Sequence, residues 1–168
     1  MPELAQENNL YPALLDRLID EAPDQRHEPN RMKVVTARQL CDMVKRDLIW
    51  LLNTINLRSV QDLDLYPEVA SSVLNYGIPD VTGHVMEGWN LNALETSIKQ
   101  AIIDFEPRII KNTIDIRIVG KSDLMPSHTL QLEIDCDIWG EPAPEHLSLR
   151  TSIDLETGDV QLRDSRGF

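Results

Sequence analysis

Glu106 and Arg108 are the residues whose types and spacing most clearly suggest chemistry, because they flank Pro107 where a helical pattern ends and a strand pattern begins. Proline has no backbone N–H and moves the preceding residue out of the helical region, so the sequence predicts a fixed corner that carries a carboxylate and a guanidinium. Burying either charge is costly unless it finds a charged partner. The tripeptide is therefore either a helix-ending salt bridge or a recognition corner.

Glu106 could also serve as the general acid of a hydrolase. Glycoside cleavage requires two carboxylates facing one cleft, about 5 to 9.5 Å apart. The available partners for Glu106 are Glu87, Glu95, Asp135 and Asp137, and no spacing singles out one of them. The four histidines are scattered over predicted loops, and no nucleophile, P-loop or dinucleotide motif is present. A lysozyme-like peptidoglycan hydrolase that uses Glu106 is therefore kept as the alternative function.

Composition narrows the class of partner. The net charge of −12 and the pI of about 4.6 argue against nucleic acid or an anionic membrane as the main partner. Cys41 and Cys136 form no CxxC pair and have no histidine at ligand spacing, which predicts free thiols and no metal or cofactor. The N-terminus resembles no signal peptide, and no window approaches the roughly 18 apolar residues of a membrane span, so a cytoplasmic protein without membrane insertion is expected.

The chain is expected to consist of an N-terminal arm, residues 1–33, and a single domain, residues 34–168. The arm contains a short amphipathic helix followed by a charged linker with two prolines. Asp16 is expected on the polar side of this helix, which is either a docking arm or packed against its own domain. The apolar side of the helix consists of Leu14, Leu15, Leu18 and Ile19.

Thr36 and Gln39 form a capping-box pattern that predicts the start of the first long helix. The helix has an apolar stripe, and Trp50 makes its last turns apolar nearly all round, which favours a place for Trp50 in the core over one beneath another subunit. The stripe consists of Leu40, Val44, Leu48, Leu51 and Ile55.

Pro67 and Gly77 predict the start and the left-handed end of a second, short helix. Its apolar face is expected to consist of Val69, Val73 and Leu74. The irregular segment from Tyr76 to Trp89 contains three glycines and a proline but is rich in apolar residues. Such a segment is usually packed on something, and Tyr76 is a candidate contact residue.

Apolar residues at three- and four-residue spacing predict a helix that runs into the Glu106–Arg108 corner, and the period then changes to two. Four strands are predicted, the first from about Ile109 to Val119. The sequence therefore predicts an α+β fold, with N-terminal helices packed on one face of a C-terminal antiparallel four-stranded sheet. The outer strands leave an edge that a partner can extend, and Trp139, after the second strand, is the tryptophan most suspected of touching that partner.

Three landmarks occur in order: Leu-Leu-Asp-Arg-Leu at 14–18, Ser-Val-Leu-Asn-Tyr-Gly-Ile-Pro-Asp at 72–80, and Phe-Glu-Pro-Arg-Ile at 105–109. Together they resemble the TssE subunit of bacterial type VI secretion systems, a family similar to the small baseplate wedge protein of contractile-tailed phages. The resemblance covers the chain from about Leu10 to Asp164. It implies a non-enzymatic structural subunit that lies in a baseplate at the cytoplasmic face of the inner membrane. A generic adaptor domain is the less specific alternative.

The resemblance also implies partners. They are the wedge subunits TssF and TssG, with TssK nearby, and the sheath subunits TssB and TssC, whose strands the sheet can accept by β-augmentation. The Glu106-Pro107-Arg108 motif is implied to lie at the contact with the sheath or the wedge. Glu106 and Arg108 either bond across that interface or lock the corner that presents it. Charge reversal is expected to block sheath assembly in a folded monomer, whereas unfolding by Arg108→Glu would identify an internal pair.

Overall fold

The computed structural model describes residues 12–18, 24, 35–83, 90–119, 129–140 and 143–162. The helices are α1 (Leu14–Leu18), α2 (Ala37–Leu52), α3 (Pro67–Ala70) and α4 (Leu91–Phe105). The strands are β1 (Asp115–Val119), β2 (Thr129–Ile138), β3 (Glu145–Asp154) and β4 (Val160–Leu162). Single 3-10 turns lie at Leu57–Ser59, Val73–Asn75 and Lys111–Thr113. The strands form one antiparallel sheet in the order β1-β2-β3-β4, so the predicted α+β fold is confirmed.

The core lies between α2, α4 and one face of the sheet. The pattern of β2 explains this position of the core, because its side chains alternate strictly between buried and half-buried positions along ten residues. Its core-facing side chains are at most 1% exposed: Leu130, Leu132, Ile134, Cys136 and Ile138. An apolar period of two can bury only one face of a sheet, and the two long amphipathic helices cover that face.

Helix α2 begins as predicted and ends earlier. Thr36 and Gln39 form both bonds of the capping box. The helix stops at Leu52, so Ile55 lies beyond it and is 54% exposed instead of completing the inner stripe. Trp50 is 49% exposed, and its ring lies 4.9 Å from the guanidinium of Arg46. The last turns are buried at Leu48, Leu51 and Leu52, whereas Trp50 lies outside the core, and the alternative place beneath another subunit stays open for it.

The second helix is much shorter than predicted. α3 ends at Ala70, and Val73 and Leu74 belong to a separate 3-10 turn that leaves them 79% and 68% exposed. Gly77 has a positive φ of 125° but does not cap this helix. Instead it lets two backbone segments meet, because a Cβ atom at this position would lie 2.3 Å from the carbonyl oxygen of Thr54.

The predicted first strand also starts later. Ile109 forms only an isolated bridge with Ile138, the 3-10 turn Lys111–Thr113 follows, and regular pairing begins at Asp115. Most of the N-terminal arm, and residues 84–89 with Trp89, lie outside the described residues, so the division at residue 33 remains a prediction. In the described part of the chain, no helix is long and apolar enough to cross a membrane.

Candidate functional site

The corner is locked by a bidentate ion pair. The backbone N–H of Glu106 still bonds to Ile102 at the end of α4, and its side chain turns inward, leaving the residue 5% exposed. The Nε and Nη2 atoms of Arg108 donate to the two Glu106 carboxylate oxygens at 2.6 and 2.5 Å. The backbone N–H of Arg108 adds a third bond to Oε1 at 3.2 Å. Charge-assisted bidentate pairs fix geometry strongly, so Pro107 protrudes from a rigid support.

The ion pair belongs to a longer network. Arg108 also donates through Nη2 to Asp47 on α2, whose other oxygen accepts two bonds from Arg46 at 2.9 and 2.7 Å. Arg46 in turn donates through Nη1 to Asp16 on α1, at 2.6 Å. Three carboxylates and two guanidinium groups thus alternate along one chain of contacts. This chain ties α1 and α2 to the corner.

Both arginines of the network are kept charged. Burial by itself would lower the pKa of Arg108, but the hydrogen bonds and charges of Glu106 and Asp47 outweigh it and raise the pKa above its ordinary value. The hydrogen bond to Asp16, followed by the contacts with Asp47, raises the pKa of Arg46. The charges that the network holds are therefore compensated inside the molecule.

Asp16, and not the leucines of α1, is the buried residue of this helix. The Asp16 side chain is 4% exposed, although the amphipathic pattern put it on the polar side. Leu14, Leu15 and Leu18 are 69%, 48% and 72% exposed, so their apolar side does not pack on the described part of the domain. An ion pair with Arg46 outweighs the local pattern, because a buried carboxylate must remain paired. Sequence reasoning missed Arg46 and Asp47 as parts of this site, since neither stands in a recognisable motif.

The structure brings all five predicted contact residues to the corner. The Tyr76 ring packs edge-on against Phe105, with centroids 5.2 Å apart, and burial followed by the charges of Asp47 and Glu106 raises the pKa of Tyr76. Trp139 donates its backbone N–H to the carbonyl of Arg108 at 2.8 Å, while its side chain is 64% exposed. The exposed groups here are Pro107 and Trp139, and the motif's charges lie behind them.

This arrangement does not fit a glycosidase pair. Arg108 occupies both oxygens of Glu106, which leaves neither to protonate a leaving group. Glu95 accepts the N–H of Ile118 at 2.7 Å, and Asp137 lies 3.0 Å from His146. Glu87 lies outside the described residues. Within the described ranges, no group of three or more histidine, cysteine or acidic residues could hold a metal ion.

Comparison with known proteins identifies a family. The model of the family described as "Baseplate wedge protein gp25" matches residues 38–143, which are 106 of the 168 residues. The match runs from α2 to the turn after β2 and includes the corner, Tyr76 and Trp139. No curated protein and no solved structure matches the chain.

Proposed function

The chain belongs to the baseplate wedge protein gp25 family, and we propose that it joins a baseplate wedge to the first ring of a contractile sheath. Family membership supports a structural role in a baseplate. The resemblance of its landmarks to TssE subunits supports the finer role, in which the protein helps to start sheath polymerisation in a type VI secretion system. The site supports a non-enzymatic function, because the one carboxylate suggested as an acid is bound by arginine on both oxygens.

The sheath-joining role is argued from a stretch of β3 whose outer side meets no strand among the described residues, which end at Leu162. β3 spans Glu145–Asp154, but β4 pairs only with its residues 151–153. Within the described ranges, residues 145–150 of β3 pair with β2 alone. The N–H of Asp154 donates toward β4, to the carbonyl of Asp159 at 3.0 Å, and strand alternation turns the N–H groups of Ser148 and Arg150 to the same side. A strand from a sheath subunit can add there.

Side chains bond to the backbone at the two other edges of the sheet. Glu95 accepts the N–H of Ile118 on β1, and Lys99 donates to the carbonyl of Ile114 just before β1, each at 2.7 Å. On β4, the side chain of Asn53 bonds to both the N–H and the carbonyl of Val160, at 2.9 and 3.0 Å. Unpaired edges invite strand addition and covered edges resist it. Strand addition is therefore expected on β3.

The rigid Glu106–Arg108 corner lies at the end of the sheet where β3 begins. Glu145 pairs with Ile138, so the open part of β3 begins at the end of the sheet where Trp139 and the corner lie. We infer that the ionic network locks the corner and that Pro107 and Trp139 contact the partner, because these two side chains are exposed. The partners in this proposal are TssB and TssC on the sheath side and TssF, TssG and TssK on the wedge side, in a cytoplasmic assembly at the inner membrane.

Ser148→Pro tests the edge. Proline removes an N–H that faces away from β2, so the monomer should keep its fold while an added strand loses a hydrogen bond and meets the ring. We expect sheath subunits co-expressed with the variant to be captured at least about tenfold less, with wedge capture unchanged. Ser148→Ala keeps the N–H and is the matched control.

Circular dichroism verifies the fold of both variants. A folded Ser148→Pro protein that captures the sheath as well as the wild type would rule out strand addition at this edge. Wild-type protein that captures neither the wedge nor the sheath would overturn the baseplate proposal itself.

A further inference from the structure

A groove of about 640 Å³ lies between α4 and the segment formed by residues 56–79. One wall is a stripe of α4 at three- and four-residue spacing that includes Ser97, Ala101 and Phe105. The opposite wall includes Ala70 and Gly77. Ser97 and Ala101 on one wall face a groove large enough to admit large side chains of another molecule. None of the sheet edge discussed above lines it.

The segment beside the groove carries an unusual amount of exposed apolar surface. Five large apolar side chains within residues 60–74 are 54% to 84% exposed: Val60, Leu65, Tyr66, Val73 and Leu74. None of the five lines the groove itself, so they add apolar surface beside it and not within it.

The groove wall is held in shape before any partner binds. The side chain of Asn75, 9% exposed, accepts the N–H of Arg58 at 2.9 Å and donates to the carbonyl of Ala70 at 2.8 Å. Ser59 accepts the N–H of Asp80 at 2.9 Å. These bonds connect distant parts of the segment, and a preformed wall reduces the ordering cost of binding.

Backbone bonding indicates which kind of segment fits. Within the groove wall, the N–H groups of residues 69–72, 75 and 76 already donate to carbonyls inside the segment, and α4 satisfies its own backbone. These N–H groups are therefore not available to pair with an extended strand. A helix, which satisfies its own backbone and presents side chains alone, suits such a groove.

The charges around the groove indicate the sign of the partner. Asp64 and Asp104 line the groove, and the only basic residue among the lining residues, Arg58, is paired with Asp64 at 2.6 Å. Asp62 and Glu68 on the same segment add two more negative charges. Four carboxylates against one guanidinium favour a partner with basic residues at the flanks of its apolar face.

We propose that this groove binds an amphipathic helix of a partner subunit, with large apolar side chains toward α4 and lysine or arginine at its flanks. The surface is separate from the β3 edge. Loss of helix binding would therefore leave the strand-addition proposal standing, and the converse also holds.

The test uses the full chain and a fluorescein-labelled 14-residue peptide of leucine and lysine, with leucines at three- and four-residue spacing. Ser97→Trp fills the groove from α4, and we expect it to weaken peptide binding at least about tenfold in fluorescence anisotropy. Thr96→Trp adds the same side chain at an exposed neighbouring position that does not line the groove. It should bind within about twofold of the wild type.

The charge of the partner is tested by a second pair of variants. Asp104→Lys and Asp42→Lys change the net charge equally, but Asp42 lies on α2 and is not among the lining residues. We expect the first to weaken binding about tenfold and the second to leave it nearly unchanged at the same salt concentration. A peptide with glutamate in place of lysine should not bind.

Equal binding by Ser97→Trp and Thr96→Trp, or by the two charge variants, would overturn the proposal. Sedimentation of the wild-type chain tests the competing occupant. A dimer that Ser97→Trp dissociates and Thr96→Trp does not would assign the groove to a second copy of this chain, which also overturns the helix proposal.

Discussion

Arg108 bonds to two carboxylates at once, Glu106 within the corner and Asp47 on α2. This position changes the meaning of the Glu-Pro-Arg motif at the residue scale, because its charges face one another and not the solvent. Arg108→Glu would place a third carboxylate beside Glu106 and Asp47. We therefore expect charge reversal to unfold the protein, so loss of sheath capture in that variant would not separate recognition from stability.

Arg108→Gln is expected to lower the free energy of unfolding by about 3 kcal/mol, because it leaves the carboxylate of Glu106 buried without its partner. Urea unfolding measures the change. Arg117→Gln is the matched control, since Arg117 and Asp115 are both largely exposed and their ion pair is screened by solvent. If the two variants unfolded at the same urea concentration, the network would contribute no stability.

Gly77→Ala is expected to destabilise the protein by at least about 2 kcal/mol, because a Cβ atom meets the Thr54 carbonyl and φ is positive. Gly83→Ala separates the two causes. Gly83 also has a positive φ, of 73°, but nothing lies within 4 Å of its would-be Cβ atom, so backbone strain alone should cost about 1 kcal/mol. Thermal unfolding of both variants measures the difference, and equal losses would contradict a role for close approach.

At the scale of elements, side chains outside the sheet bond to the backbone of its two outer described strands. Asn53 follows α2 and takes the position that a neighbouring strand would occupy beside Val160. Glu95 and Lys99 of α4 do the same for β1. The helices thus cover the core face, and residues on or next to them also bond to the outer strands.

Asn53→Ala should expose the amide of Val160, because the short strand β4 then has no acceptor on its outer side. We expect hydrogen exchange at Val160 to become about tenfold faster, the effect of losing one hydrogen bond. Asn53→Asp keeps an acceptor and should retain most of the protection. Unchanged exchange in Asn53→Ala would show that Asn53 does not hold this edge.

At the scale of the whole molecule, the core is one apolar layer between two helices and the sheet. Cys136 lies in this layer, and the pKa of its thiol depends on its burial there. Cys136 is 1% exposed, and burial, followed by the charges of Asp137 and Asp135, raises the pKa of its thiol to about 12 from 9.0. Between these values the unfolded chain releases a proton that the folded chain retains. Stability therefore falls as the pH rises through this window.

Cys136 should contribute at most about 1.4 kcal/mol per pH unit to the fall in the free energy of unfolding. Cys136→Ala should remove this contribution from the slope. Urea unfolding at several values of pH from neutral to alkaline measures it. Cys136→Ala also lowers stability at every pH, so the difference in slope is the readout. Equal slopes in the two proteins would mean that the thiol titrates alike in the folded and unfolded states.

The sequence by itself determined the order and type of the main elements, because helix and strand periods are local. Thr36 and Gln39 marked the start of α2, Pro107 marked the change from helix to sheet, and the alternation along β2 predicted its buried face. Of the family landmarks, residues 105–109 lie at the end of α4, while the other two lie on α1 and on the 3-10 turn Val73–Asn75 with the segment after it. The match over residues 38–143 confirmed the resemblance that they suggested.

Only the tertiary structure decided which polar groups are buried and which apolar groups are exposed. Asp16 meets Arg46 across 30 positions of the chain, and Asp47 meets Arg108 across 61. No local period encodes such pairs, so the amphipathic pattern of α1 could not show that Asp16 is buried against Arg46. The same reason applies to Gly77, whose role depends on Thr54, and to the outer strands, whose backbone bonds to Asn53, Glu95 and Lys99 depend on the packing of the helices.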